Sequence, residues 1–225
     1  LATLAATGQD VFHHTFGPFP EGFAYAKPND AAGLAALMEQ LPVCGVLVEA
    51  VQGEGGVEPL TREYLQAVRD LTAQHDALMM VDEVQTGNGR TGTLFSYQRY
   101  DWLPDVVTTA KGLAGGLPMG ACLIGEKAKD TLTPGSHGST FGGNPVCAAA
   151  ALAVQNQLTD ELLAEVKRKG KYIAAELSEL SSVHSVSGRG LMLGVETDKD
   201  AKALVNALLK RGVVCLTAKN KLRLL

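Results

Sequence analysis

The chain has few cysteines, no large excess of charge, no long apolar run and no internal repeat. Its four cysteines (Cys44, Cys122, Cys147 and Cys215) are scattered through 225 residues. That spread excludes a disulfide framework and offers no paired spacing for a structural metal. Cys44, Cys122 and Cys215 lie in apolar runs, so they are expected to be buried, reduced thiols, as suits the cytoplasm. A net charge of −4 argues against a nucleic-acid partner or an anionic membrane surface. No apolar run approaches the roughly 20 residues that cross a bilayer, and no signal or transit pattern opens the chain. What remains is 46% hydrophobic and 20% charged, ordinary for a soluble globular protein, in a chain of one large domain or one and a half.

One stretch organises the rest. Asp105 to Ala110 is a short apolar run, and Lys111 follows it. Five of the nine residues after Lys111 are glycine or proline. Apolar runs of this length read as buried strands, and Gly/Pro clusters as loops. Lys111 is therefore expected where a strand gives way to a glycine-lined loop. A desolvated lysine amine there has a lowered pKa and attacks aldehydes. Alone, Lys111 also reads as an ordinary solvent-facing charge.

A second apolar run, Ala77 to Val81, ends in Asp82 and Glu83. A carboxylate at the C-terminal edge of a sheet stands where open α/β sheets bind ligands. Asp82 alone also reads as a cap or turn residue. Together, a strand-end lysine and a strand-end carboxylate are the two groups that pyridoxal phosphate requires, one for its aldehyde and one for its pyridine nitrogen.

Four ordered blocks carry a resemblance. They are Glu49–Gly56 (EAVQGEGG), Val81–Gly87 with Gly89–Gly92 (VDEVQTG, GRTG), Thr108–Gly112 (TTAKG) and His137–Pro145 (HGSTFGGNP). The chain resembles the class III, pyridoxal-phosphate-dependent aminotransferases along essentially its whole length, and within them the acetylornithine aminotransferases. The resemblance implies a fold-type-I large domain with a mostly parallel mixed sheet and the start of a small α+β domain. It implies boundaries of 1–158 for the large domain, 159–182 for a linking helix and 183–225 for the small domain. Lys111 is implied to carry the cofactor and act as acid and base. Asp82, Val84 and Gln85 are implied to contact the cofactor ring, Gln85 through its phenolic oxygen. Ser139 and Thr140 are implied to reach the phosphate held by a neighbouring subunit, which makes the enzyme a homodimer with a shared active site. Glu54 is implied to pair with Arg223 whenever Arg223 is not holding a substrate carboxylate, and Arg90 to order its loop near the site. The implied reaction passes an amino group from N-acetylornithine to 2-oxoglutarate, as in arginine biosynthesis. Ornithine, succinylornithine or 4-aminobutyrate as donor is the nearest alternative; a non-catalytic structural or binding subunit of the same fold is the more distant one.

The remaining pattern is coarser. Helices are expected over 30–40, 60–75, 145–158, 160–180 and 200–211. Strands are expected over 43–50, 77–83, 105–110, 120–125, 185–186, 191–196, 213–217 and 221–225, with 43–49 and 77–83 forming one βαβ unit. Leu1 to Gly22 shows little regular pattern and reads as a loop packed around Phe12, Phe16 and Phe19, with His13 and His14 in structural roles. The chain starts at Leu1 and stops inside an apparent strand. It is thus expected to lack an N-terminal portion and a short C-terminal tail. The family's N-terminal phosphate cup, stacking aromatic and second arginine are absent, so the polypeptide alone is expected to be inactive.

Overall fold

The computed structural model describes residues 1–14 and 16–225. By contact it separates into residues 1–42 and 43–225.

The first unit carries three helices, α1 (Ala2–Ala6), α2 (Asp10–His13) and α3 (Ala31–Gln40). Asp30 starts α3, its side chain accepting from Gly33 N at 2.9 Å. The irregular packed loop expected over 1–22 is corrected on two counts. Two short helices occupy it, and Phe12 and Phe16 are exposed. Helices of five and four residues have too few turns to bury an apolar face. Instead His13 stacks on Tyr25 at 5.4 Å, and Tyr25 Oη donates to Ala5 O at 2.6 Å.

The second unit holds two four-stranded sheets. The first runs β1 (Gly45–Val48), β4 (Leu78–Asp82), β5 (Val106–Thr109) and β6 (Ala121–Ile124) in spatial order. Between β1 and β4 come a two-residue-per-strand hairpin, β2 (Val51–Gln52) and β3 (Glu58–Pro59), and the crossover helix α4 (Arg62–Gln74). β1, β4 and β5 are parallel, and β6 is antiparallel to β5. The short β5–β6 connection has room for a hairpin return but for no helical crossover. Thr61 caps α4 by accepting from Tyr64 N at 3.1 Å, and Tyr64, Leu65, Val68 and Thr72 form its buried face.

After β6 come α5 (Pro145–Gln155) and α6 (Asp160–Ser178). Asn144 caps α5 through Val146 N and Cys147 N, with proline at the first turn. The second sheet is antiparallel throughout, in the order β7 (Val183–Arg189), β8 (Met192–Thr197), β10 (Lys221–Leu224) and β9 (Leu216–Ala218), with α7 (Ala201–Leu209) between β8 and β9. Gly188 and Arg189 lie within β7, paired with Leu193 and Met192, and Gly190 and Leu191 form the tight β7–β8 turn. α6 packs on that turn so closely that a Cβ on Gly170 would strike the Gly190 carbonyl.

Cys215 is buried as expected, but Cys44 and Cys122 are exposed, which corrects their expected burial. Cys44 precedes β1, and Cys122 lies on the edge strand β6, where three of four residues are exposed. Hydropathy marks an apolar run but not whether a layer covers it. No described helix is long and apolar enough to cross a membrane.

Candidate active site

Parallel strands collect their C-terminal ends on one edge of a sheet. Here that edge brings together residues from three separate segments. Asp82 ends β4 in register with Thr108 of β5, and Glu49 lies one residue beyond the last β1–β4 pair, Val48 with Val81. Lys111 follows β5 and opens a one-turn 3-10 helix, Lys111–Ala114. Its backbone is left-handed, with φ 45°. The lysine is exposed, which corrects the expected desolvation: Gly112, Gly115 and Gly116 beside it are exposed too. Leu113 and Ala114 turn inward and pack with Ala151 of α5.

Asp82 is half-buried and locally anchored: its Oδ1 accepts from Val84 N at 2.8 Å. Glu83 points the other way and is fully buried. It accepts from Thr86 Oγ1 at 2.5 Å, Ser96 Oγ at 2.6 Å and Tyr97 N at 3.0 Å. This network ties the 83–97 loop beneath the site. Arg90, in the same loop, has its pKa lowered by burial, and its carbonyl accepts from Leu191 N at 3.0 Å.

Glu49 Oε2 accepts from Gly53 N at 3.0 Å, bracing the β2–β3 loop. Burial pushes the Glu49 carboxyl up from 4.5 to about 7, and the charges of Asp82 and Glu54 push the same way; Gly53 N and Lys111 oppose them. The folded chain thus holds this proton more tightly than the unfolded one. The stability it contributes is complete below about pH 4.5 and is lost as pH rises through about 7. Glu49→Gln is neutral at every pH and retains an acceptor for Gly53. Urea unfolding should find variant and parent alike at low pH, with the variant gaining up to about 3 kcal/mol by neutral pH. An unchanged difference across that range would contradict the assignment.

The β2–β3 hairpin packs on the second sheet through Val51, Val57, Met192 and Ala218. This places Glu54 beside β10. Arg223 Nη1 donates to Glu54 Oε1 at 2.6 Å and to Gln85 Oε1 at 3.3 Å, and Gln85 Nε2 donates to Glu54 Oε1 at 3.1 Å. Arg223 is buried, with its Nε lacking a partner, while Glu54 is half-exposed. The Arg223 guanidinium holds the Glu54 carboxyl below its usual range despite partial burial, and Gln85 adds to that.

Lys111, Asp82, Glu54, Gln85 and Arg223 therefore converge on one side of the second unit, with Val84 contributing through its backbone. Ser139 and Thr140 are exposed on the loop ahead of α5 and take no part in these contacts. Sequence reasoning missed two participants. Glu49 was visible as a strand-end carboxylate but had no role. Asn88 gave no signal beyond its place in a glycine-rich turn, yet it donates to Thr109 Oγ1 at 3.0 Å and Ala110 O at 3.2 Å, just ahead of Lys111.

The second unit is thus an α/β protein with a lysine and a carboxylate at the C-terminal ends of adjacent parallel strands. The chain belongs to the class-III aminotransferase family, whose profile matches residues 1–225. It is 51% identical to the acetylornithine aminotransferase of Haemophilus ducreyi over 100% of this chain and 58% of that relative. Among solved structures, the N-acetylornithine aminotransferase of Stenotrophomonas maltophilia matches at TM-score 0.81 and 39% identity, over 90% of this chain and 55% of that one. A Toxoplasma gondii ornithine aminotransferase, with pyridoxal phosphate partially occupying its active site, matches at TM-score 0.90 and 30% identity, over 99% and 55%. The fold is thus that of the fold-type-I α/β aminotransferases. The chain spans a little over half the length of these proteins.

Proposed function

We propose that this chain provides the lysine-bearing part of an acetylornithine aminotransferase, moving an amino group from N-acetylornithine to 2-oxoglutarate. The observation that carries the reading is the junction of Lys111 and Asp82 at neighbouring strand ends, with the Glu54–Arg223 pair on the facing loop and strand.

The donor set fits pyridoxal phosphate. Lys111 offers an exposed primary amine, Asp82 an oriented carboxylate and Gln85 an amide for a phenolic oxygen. Ser139, Thr140 and the start of α5 offer hydroxyls and amides for a phosphate. When bound, pyridoxal phosphate supplies an aldehyde and an electron sink for the substrate's amino carbon. Lys111 Nζ then takes and returns the proton of that carbon, as general base and acid. The Asp82 carboxylate would hold a proton on the pyridine nitrogen. Arg223 presents a planar fork suited to a carboxylate, and Glu54 occupies it here. Release of Glu54 frees Arg223 for a second substrate carboxylate, which lets one pocket serve a long amino donor and a dicarboxylic oxo acid in turn.

The same reading assigns residues 1–158 to the cofactor domain, 159–182 to a linking helix and 183–225 to a small domain, and makes the enzyme a cytoplasmic homodimer. Free cysteines support the reducing compartment, and exposed Phe141 and Val146 around the Ser139–Asn144 loop support a partner there. Names of the relatives support N-acetylornithine as donor.

The test is to add pyridoxal phosphate to the purified protein, reduce with borohydride and map the modified peptide by mass spectrometry. Selective modification of Lys111 is expected. Selective modification of any other lysine would overturn the assignment. Comparing kcat/KM of the complete enzyme for N-acetylornithine, N-succinylornithine, ornithine and 4-aminobutyrate then identifies the donor.

A further inference from the structure

The turn that presents Lys111 is held in an uncommon shape. Lys111 has φ 45°, and the preceding Ala110 has φ −162° and ψ −139°. A non-glycine residue in the left-handed region is costly and persists only where its surroundings fix it. Ala110 provides the fixing point. Its carbonyl accepts from Leu113 N at 3.0 Å, which closes the 3-10 turn, and from Asn88 Nδ2 at 3.2 Å. Both lone pairs of that oxygen are thus directed, one by the turn itself and one by a side chain from another loop.

Asn88 does more than fill a lone pair. The same Nδ2 donates to Thr109 Oγ1 at 3.0 Å, so the carboxamide spans the last strand residue and the residue before the lysine. Its own Oδ1 accepts from Gln155 Nε2 at 3.4 Å, at the far end of α5. A Cβ on Gly112 would sit 3.7 Å from Asn88 Cβ, so the side chain lies directly against the Lys111–Gly112 step. Asn88 also has a left-handed backbone, φ 53°, which asparagine tolerates better than most residues.

We propose that Asn88 is a positioning residue for Lys111, its carboxamide bridging Thr109 and Ala110 to fix the direction of the lysine stem, with Gln155 coupling that bridge to α5. The proposal rests on Lys111 being the reacting amine. Without the bridge the Ala110 carbonyl can rotate, the turn relaxes, and Nζ spends less time aimed at its target. A reaction that depends on a near-attack geometry loses rate in proportion.

Two variants isolate the carboxamide. Asn88→Gly removes it while supplying the residue best suited to φ 53°. Asn88→Asp keeps its shape but cannot donate to the Ala110 carbonyl. Each is measured in the purified native protein for the rate at which pyridoxal phosphate and borohydride modify Lys111, for kcat and KM separately, and for the melting midpoint without cofactor. Both variants should modify Lys111 about tenfold more slowly and lose kcat about tenfold with KM little changed. Asn88→Gly should melt near the parent. Gln155→Ala should show the same pattern, more weakly. Parent-like modification of Lys111 in both Asn88 variants would overturn the proposal, as would slowing confined to a variant whose melting midpoint has collapsed. Failure of the parent itself to modify Lys111 would instead remove the reading on which the proposal stands.

Discussion

Lys111→Ala should abolish borohydride-dependent attachment of pyridoxal phosphate at this position and lower turnover by at least about a thousandfold. The size follows from two roles that meet at one atom. On the proposed function, Nζ is both the amine that would hold the aldehyde and the base that would move the substrate proton, so its removal deletes two contributions at once. Stability should stay close to that of the parent. Lys111 is exposed, and the packing of its turn is carried by Leu113 at 8% and Ala114 at 1% relative exposure. Alanine and lysine pay a similar penalty at φ 45°, so the turn gains no new strain. The measurement is a steady-state assay of the complete enzyme beside a thermal melt. Retained turnover in a folded Lys111→Ala protein would remove Lys111 from the chemistry.

The residues that make this expectation possible were largely legible in the sequence, because each ends an apolar strand. Strand-end position is a local property: an apolar run followed by glycine or by a charge announces it. Lys111 and Asp82 were found that way, and β4, β5 and the crossover helix α4 fell where periodicity placed them. Asn88 was not legible. Its partners Thr109, Ala110 and Gln155 lie 21, 22 and 67 residues away, and nothing local distinguishes it from any turn asparagine. Glu49 was legible as a position but not as a chemistry. Its pKa is raised first by burial and then by the charge of Asp82 on the neighbouring strand, and the 49–54 segment alone contains neither fact. The cysteines show the opposite limit. Cys122 sits in an apolar run and is exposed all the same, because β6 is an edge strand. Hydropathy reports what a segment could bury; the neighbouring layer decides what it does bury.

Asp82 and Glu83 test that distinction most sharply, for they are adjacent carboxylates with opposite fates. Along β4 burial alternates, with Met79 and Val81 buried and Leu78, Met80 and Asp82 partly open. Successive strand side chains point to opposite faces, so Asp82 falls on the open side and Glu83 on the closed one. Asp82→Asn keeps the oxygen that accepts from Val84 N but discards the charge. Turnover should fall by about a thousandfold, while stability should change by less than about 1 kcal/mol, since a neutral amide of the same shape costs a half-buried site little. It should also lower the pH at which Glu49 titrates, because one of the negative charges raising it is gone. Glu83→Gln should do the reverse. Three donors converge on that carboxylate, from Thr86, Ser96 and Tyr97, and an amide must turn its NH2 toward one of them. A buried donor set against a donor costs about 2 kcal/mol, whereas the Asp82 charge is untouched, so modification of Lys111 should proceed as in the parent. Crossed outcomes in the two assays, urea unfolding and Lys111 modification, are what a functional Asp82 and a structural Glu83 require. If Asp82→Asn instead lost stability and kept its turnover, the carboxylate at the end of β4 would be part of the scaffold and the cofactor would need another anchor.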